Sequence, residues 1–318
     1  MTASLRAVPK HAGPRVSVAQ ARARIGGAEI AAPASAANLG PGFDTLAVAL
    51  TLYLRVRTSG IDDASVNGLT FAFRGAPPAE NYIERAFRTL AAEEALEFPS
   101  LSLDVESDIP MQAGLGSSAA ATVAGLLLYD RLAGPVDGRD LLSTAARLEG
   151  HADNVSAALL GGLTMSCVGD DGRVIARTSP WPSSVGFVTA TPAVAVPTTE
   201  ARRALPDAYP RADAVFNLQR ALLFMRAVQG GEPDLLREAL RDRWHQPYRA
   251  SLVPGLEEAL ALRHPHLLGV CLSGSGPTVL ALCSGESRGV AELLSEVYRR
   301  RGLPVEIRTL AAHQPVTP

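Results

Sequence analysis

Apolar positions along the chain recur with two periods. Residues 28–33 and 47–57 read as strands around a Gly-Pro-Gly turn at 40–42, the second with alternation at Leu52, Leu54 and Val56. Over 80–96, the side chains of Ile83, Ala86, Phe87, Leu90 and Ala91 fall on one helical face. Residues 101–105 alternate as a strand. The stretch 117–132 is apolar nearly all round, which predicts a buried helix; 141–148 and 155–160 read as further helices and 161–167 as a strand. Pro180, Pro182, Pro192 and Pro197 then crowd a short stretch that suits a domain crossing. Beyond it, helices are predicted near 213–229, 234–242, 256–262 and 289–301, and strands over 269–272, 278–283 and 305–309. Strands and helices alternate throughout, so the class is α/β or α+β, without internal repeats.

Composition narrows the function classes. A chain of 318 residues suggests two domains, and 47% apolar against 19% charged residues excludes disorder along its whole length. The balance of 30 Lys+Arg against 32 Asp+Glu lowers the rank of nucleic-acid partners, which demand a basic surface. The longest apolar run, 119–128, is half of the roughly 20 residues that a membrane span needs. Cys167, Cys271 and Cys283 make neither a disulfide scaffold nor a zinc spacing, which points to a reduced, cytoplasmic compartment. The only lysine is Lys10, so no lysine serves as a catalytic group in the folded body. Residues 1–27 are basic and acid-free; they read as an unpacked tail, with a targeting segment as the alternative.

The strongest local signal is Pro-Met-Gln-Ala-Gly-Leu-Gly-Ser-Ser-Ala-Ala over 110–120, where a glycine-rich turn follows a strand and opens the apolar helix. Gly114 and Gly116 permit close backbone approach to a ligand, and the free N–H groups at the helix start favour an anion, above all a phosphate. The alternative is an ordinary turn before a core helix. No Walker lysine is present, so backbone amides, Mg²⁺ and arginine would have to balance the charge. A serine-hydrolase reading fails because neither this loop nor Ser-Gly-Ser-Gly at 273–276 supplies Gly-x-Ser-x-Gly. Two further loops of small residues, 33–44 and 272–278, also abut apolar strands. His264-Pro-His266 lacks further ligands at metal spacing and reads as a solvated loop.

The three loops, in this order, resemble the signature motifs of the GHMP small-molecule kinases. Asn-Leu-Gly-Pro-Gly-Phe-Asp at 38–44, Glu-Gly-His-Ala-Asp-Asn-Val at 149–155, Thr-Thr-Glu-Ala-Arg at 198–202 and Gln-Pro-Tyr-Arg at 246–249 resemble the homoserine kinase branch. The resemblance spans about 28–310. It implies an α+β, two-domain GHMP kinase fold. A ribosomal-protein-S5-like N-terminal domain would occupy 28–180 and a ferredoxin-like C-terminal domain 181–318, with the ligands between them. It further implies ATP-dependent phosphorylation of the terminal hydroxyl of L-homoserine to O-phospho-L-homoserine, a step of threonine biosynthesis, and suggests a homodimer. Two alternatives stay open: a kinase for another hydroxy amino acid or small alcohol, and a non-catalytic ligand-binding regulator on the same fold.

Residue by residue, the resemblance implies that Pro110, Gly114, Leu115, Gly116, Ser117 and Ser118 hold ATP, with Ser118 and Glu149 on Mg²⁺. Asn38, Asp44, His151, Asn154, Arg202, Arg249 and Gly274 would bind the substrate, the arginines facing its carboxylate and Asp44 its ammonium. Asn154, Ser118 and Glu149 would be catalytic. The sequence departs from the family pattern at two places. Ser143 stands eight residues before His151, where several homoserine kinases carry the metal carboxylate, and Ala113 replaces a basic residue before Gly-Leu-Gly. Competing structural roles exist for each site: a helix-end acid for Glu149, a turn residue for Asn38, helix caps for Asp153 and Asn154, surface charge for the arginines. Asn154 replaces the aspartate base of other superfamily members, which implies transfer without a strong protein base.

Overall fold

The computed structural model describes residues 13–134 and 140–315, and its strands divide between two sheets. The first half runs α1 (Val18–Ile25), β1 (Glu29–Asn38), β2 (Gly42–Val66), β3 (Leu69–Phe73), α2 (Tyr82–Glu93), β4 (Pro99–Ser107), α3 (Ser117–Ala133), α4 (Leu141–Glu149), α5 (Asp153–Leu160), β5 (Leu163–Val168) and β6 (Val174–Ser179). Their sheet has the order β3-β4-β2-β5-β6, with β1 also paired to β2. Its one parallel pair, β3 with β4, is joined through α2 as a βαβ unit.

The second half runs β7 (Val185–Pro192), α6 (Thr198–Arg203), α7 (Arg211–Gln229), α8 (Leu236–Ala239), α9 (Gln246–Arg249), α10 (Leu256–Ala261), β8 (Leu267–Leu272), β9 (Val279–Ser284), α11 (Arg288–Arg300) and β10 (Val305–Leu310). The four strands form an antiparallel sheet in the order β10-β7-β9-β8, the arrangement of a ferredoxin-like βαββαβ domain.

The helix α3 is the pivot of the core. Eleven of its residues, from Ala119 to Leu132, are buried, as its all-round apolar pattern predicts. Small residues let its neighbours come close: a Cβ on Gly125 would lie 2.3 Å from the carbonyl oxygen of Ile83 in α2. The predicted face of α2 packs here, with Phe87 edge-on to Phe98 and Tyr129. The Asn81 side chain starts α2 by accepting from the Glu84 N–H.

Several expectations need correction. Of the segment 1–27, residues 1–12 lie outside the described residues, but the rest is packed rather than a loose tail. The helix α1 buries Ala21 and Ile25, which are i, i+4 neighbours, and the Val16 N–H donates to the Glu97 carbonyl. An eight-residue amphipathic helix rich in arginine carries too short a period to stand out. The proline-rich stretch is indeed where the chain leaves one sheet for the other, between Ser179 and Val185, yet it also holds β7, an interior strand. The boundary at 180/181 is not clean at the far end either. Residues 311–313 return to the first sheet, the His313 N–H donating to Ala49 and the Thr51 N–H to Ala311. One apolar cluster accordingly runs through both halves and includes Leu163, Trp181, Phe187 and Phe224. The helix expected over 234–242 is a 3₁₀ turn followed by α8, because the Asp242 carboxylate caps the next turn, accepting from the N–H groups of Trp244, His245 and Gln246.

Candidate active site

The glycine loop ends at Gly116, which caps α3 in the left-handed conformation with φ 68°. Among the described residues no side chain caps the start of α3, so its N-terminal N–H groups and positive dipole end are open to a ligand. Backbone approach to the loop is tight on two sides. A Cβ on Gly114 would meet the carbonyl oxygens of Ser273 and Gly276 at 2.4 and 2.8 Å, and one on Gly116 would meet the Ser35 hydroxyl at 2.2 Å. The Ser273 hydroxyl donates to the Gly114 carbonyl at 2.7 Å, the Thr278 N–H to Ala113, and the Gly274 N–H to Ala37. The loops 33–44, 110–118 and 272–278, read separately from the sequence, therefore meet at one point. Leu115 is buried and anchors the glycine loop, its carbonyl accepting from the Ser35 N–H, while Pro110 is partly exposed at its mouth and Ser117 opens α3.

In the first turn of α3 the Ser118 hydroxyl donates to Glu149 at 2.8 Å, and one turn further on Thr122 reaches the other carboxylate oxygen at 3.4 Å. Glu149 is thus at the helix start and not merely at a solvated helix end. Ser143 is elsewhere: its hydroxyl donates to Asp140 at 2.6 Å and accepts from the Val174 N–H, which ties it into the cap of α4. Among the described residues no three His, Cys, Asp or Glu side chains gather as a metal cage. One carboxylate and a hydroxyl beside an uncapped helix start suit Mg²⁺, which takes oxygen ligands and usually keeps waters and substrate phosphates as the rest of its shell.

The turn into α5 brings up the next group. The Ser35 hydroxyl donates to the Asn154 side-chain oxygen at 2.8 Å, which aims the Asn154 amide nitrogen away from the β1 backbone. Asp153 is buried and accepts both from the Asn154 N–H at 2.7 Å and from His151 Nδ1 at 2.7 Å. Burial disfavours the charged imidazole, but the hydrogen bond and charge of Asp153, with Glu149 adding, outweigh it and raise His151 above its ordinary 6.5. Folding therefore favours protonation of His151. The resulting stability is complete below the unfolded value of about 6.5 and fades as pH rises through the higher folded value. Thermal melts of His151→Gln and the parent chain should differ more below about pH 6 than near about pH 9; an equal difference at both ends would show that folding takes up no proton there.

Across from this turn, Arg202 and Asp44 form a bidentate pair, both bonds 3.0 Å. The expectation placed them at opposite ends of the substrate; in the structure they satisfy each other, and the pairing raises the Arg202 pKa. Asn38 is buried with φ 72° and braces the turn, accepting from the Asp44 N–H and donating to the Gly274 carbonyl at 3.0 Å. Gly274 has its N–H and its carbonyl engaged within the chain, which makes it a joint between loops and leaves its polar groups committed to Ala37, Asn38 and Arg249. Arg249 is 2% exposed, hardly the surface charge that composition allowed. Burial, followed by the charge of Arg202, lowers its pKa to about 10, so it stays charged at neutral pH. Phe43 lies under both guanidinium groups, 5.7 Å from Arg202 and 5.4 Å from Arg249.

Three residues of this constellation escaped the sequence reading. Ser35 and Phe43 sit inside a motif that was noticed for its glycines, Asn38 and Asp44. His245 precedes Gln-Pro-Tyr-Arg and lies four residues before Arg249, a spacing that on a helical turn places two side chains together.

Residues 81–162 match the family model for the N-terminal domain of GHMP kinases, and residues 224–301 the model for their C-terminal domain, which sets the class as a two-domain GHMP kinase fold. The chain is 41% identical over 273 residues to the homoserine kinase of Solibacter usitatus, covering 85% of this chain and 90% of that one. It is 40% identical over 281 residues to the homoserine kinase of Deinococcus radiodurans, covering 86% and 91%. A crystal structure of homoserine kinase from Cytophaga hutchinsonii matches with a TM-score of 0.78 at 25% identity, over 90% of this chain and 96% of that one. The L. major mevalonate kinase structure in complex with R-mevalonate shares the fold, with a TM-score of 0.67 at 14% identity over 92% and 97%. The chain belongs to the homoserine kinase family of the GHMP kinases.

Proposed function

We propose that this chain transfers the γ-phosphoryl group of ATP to the terminal hydroxyl of L-homoserine, forming O-phospho-L-homoserine on the way to threonine. The observation that carries the reading is the convergence of three glycine-rich loops. It sets the uncapped start of α3 beside Asn154, and it draws the 33–44 loop that carries Asp44 and the 272–278 loop beneath Arg249 onto the same point.

In this reading the N–H groups from Gly114 to Ser118 hold the nucleotide phosphates, and Ser118 and Glu149 hold Mg²⁺. When bound, that ion neutralises charge on the phosphates. Arg249 and Arg202 receive the carboxylate of the amino acid, for which a planar guanidinium fork is the natural partner. A zwitterionic substrate exchanges cleanly with the Arg202–Asp44 pair: its carboxylate goes to the arginine and its ammonium to the aspartate, so neither charge is stranded. Asn154, held by Ser35, orients the acceptor hydroxyl. It cannot take up a proton, and a loose phosphoryl-transfer transition state does not require early deprotonation, since positioning and charge supply most of the acceleration. A homodimer and a cytoplasmic location belong to the same reading; among the described residues no helix is long and apolar enough to cross a membrane.

A coupled ADP-release assay with L-homoserine, L-threonine, L-serine and mevalonate tests it. Homoserine should give the highest kcat/KM by at least about tenfold, since a site with buried polar ligands rejects acceptors that leave them unpaired. Preference for another acceptor would move the assignment to that alcohol, and no release with any acceptor would end the kinase reading.

A further inference from the structure

We infer that His245 is a positioning residue for substrate recognition: in its neutral form, with the proton on Nε2, it locks the Arg249 guanidinium against the 38–44 loop. The inference rests on the reading of Arg249 as a carboxylate ligand and goes beyond it by naming what sets its aim.

His245 is fully buried. Its Nε2 lies 2.8 Å from the Gly40 carbonyl, an oxygen that can only accept, so Nε2 bears the proton. Its Nδ1 lies 3.3 Å from Arg249 Nη1, a nitrogen that can only donate, so Nδ1 must be bare. Only the neutral Nε2–H tautomer meets both partners. A second proton would aim an N–H at a guanidinium N–H inside a dry site, which is unfavourable twice over. The nearest carboxylate, Asp242, has its Oδ2 3.6 Å from Nε2, but both its oxygens already accept backbone N–H bonds. Burial, with the charge of Arg249, agrees in holding the ring neutral.

The bond is placed where it controls direction. The Arg249 Nε donates to the Ala201 carbonyl at 3.2 Å and Nη1 to the Gly274 carbonyl at 3.0 Å, so His245 is the third fixed point on the guanidinium. Among the described residues no hydrogen bond is made by Nη2, the edge that remains for a carboxylate. The ring of His245 also stacks on Phe43, with centroids 5.5 Å apart, and Phe43 underlies Arg249. Through Gly40 the imidazole ties this assembly to the loop that carries Asn38 and Asp44. This link adds to the bridge that Asn38 and Arg249 already make through the Gly274 carbonyl.

Two near-isosteric variants separate its two bonds. In His245→Gln the amide nitrogen replaces Nε2 and keeps the Gly40 bond while losing the acceptor toward Arg249. In His245→Asn the side-chain oxygen replaces Nδ1 and keeps the Arg249 bond while losing Gly40. Each is assayed with homoserine and with 3-aminopropan-1-ol, its analogue without the carboxylate, as acceptor or as competitor. His245→Gln should raise KM for homoserine roughly tenfold, the loss expected from one misaligned charge-assisted bond, with kcat and the half-saturating 3-aminopropan-1-ol concentration within about threefold of the parent. His245→Asn should raise the homoserine KM less. Equal effects of the two variants on homoserine, or an equal loss for both acceptors, would overturn the inference. In the parent protein, ¹⁵N NMR of the histidine ring should show a bare Nδ1 and a protonated Nε2 from about pH 6 to about pH 9; a protonated Nδ1 would overturn it as well. The NMR arm does not depend on which alcohol is the substrate, so it stands apart from any failure of the homoserine assignment.

Discussion

Replacing Gly116 by alanine should lower kcat/KM by two to three orders of magnitude, about the loss that follows removal of one aligned group from a charge-stabilising site. The residue has φ 68°, a region that costs an L-amino acid roughly 1–2 kcal/mol. The larger effect is steric. The new Cβ would fall 2.2 Å from the Ser35 hydroxyl and 3.1 Å from the Asn154 side-chain oxygen. Ser35 must give way, its 2.8 Å bond to Asn154 is lost, and the amide proposed to orient the acceptor is released while the first amides of α3 shift. Gly172→Ala is the matched control: that glycine has φ 79° but nothing within 4 Å of its new Cβ, in a turn between β5 and β6. Gly172→Ala should lose only the backbone cost in denaturant melts and keep its activity, whereas Gly116→Ala should lose more stability and, with it, most of its activity. If the two variants keep equal activity, the start of α3 is not where phosphoryl transfer takes place.

Glu149→Gln should lower kcat by roughly two orders of magnitude and raise the half-saturating Mg²⁺ concentration about 10–100-fold, the range seen when metal-site carboxylates or their supports are lost. Glutamine keeps the size of the side chain and its contacts to Ser118 and Thr122, so the melt should hardly change. Only the negative charge is removed. Ser118→Ala should be less damaging alone, and the double variant should fall well short of the sum of the two losses, because both groups would serve one ion. A Mg²⁺ titration that is superimposable on the parent's would return Glu149 to the role of a helix-end acid that accepts only from Ser118 and Thr122.

The residues that were hardest to read from the chain are those whose partners are far away in it. Ser35 looks like one more small residue in a turn until Asn154, 119 positions later, accepts a hydrogen bond from its hydroxyl. His245 is one of six histidines, and apart from its four-residue spacing from Arg249 nothing local marks it out from His264 or His266, whose rings contact each other on the surface. Its role depends on Gly40, 205 positions away. The opposite holds for the glycine loop. There the chemistry is a property of the backbone, which Gly114, Gly116 and the following helix encode within a few residues.

The chain alone determined its class of fold, the buried helix α3, the phosphate-type turn before it and the motif positions of Asn38, Asp44, Glu149, His151, Asn154, Arg202 and Arg249. These follow from periodicity, from glycine's freedom at positive φ and from a run of motifs in order, all of which are local in sequence. The tertiary structure decided how those residues are paired. It joined Arg202 to Asp44, gave Glu149 rather than Ser143 to Ser118, engaged both polar groups of Gly274, and buried Arg249 on a neutral histidine. It also placed residues 311–313 back on the first sheet. Pairing of this kind is set by which surfaces the packed core brings within about 3 Å of each other, and that distance is written nowhere in the order of the residues.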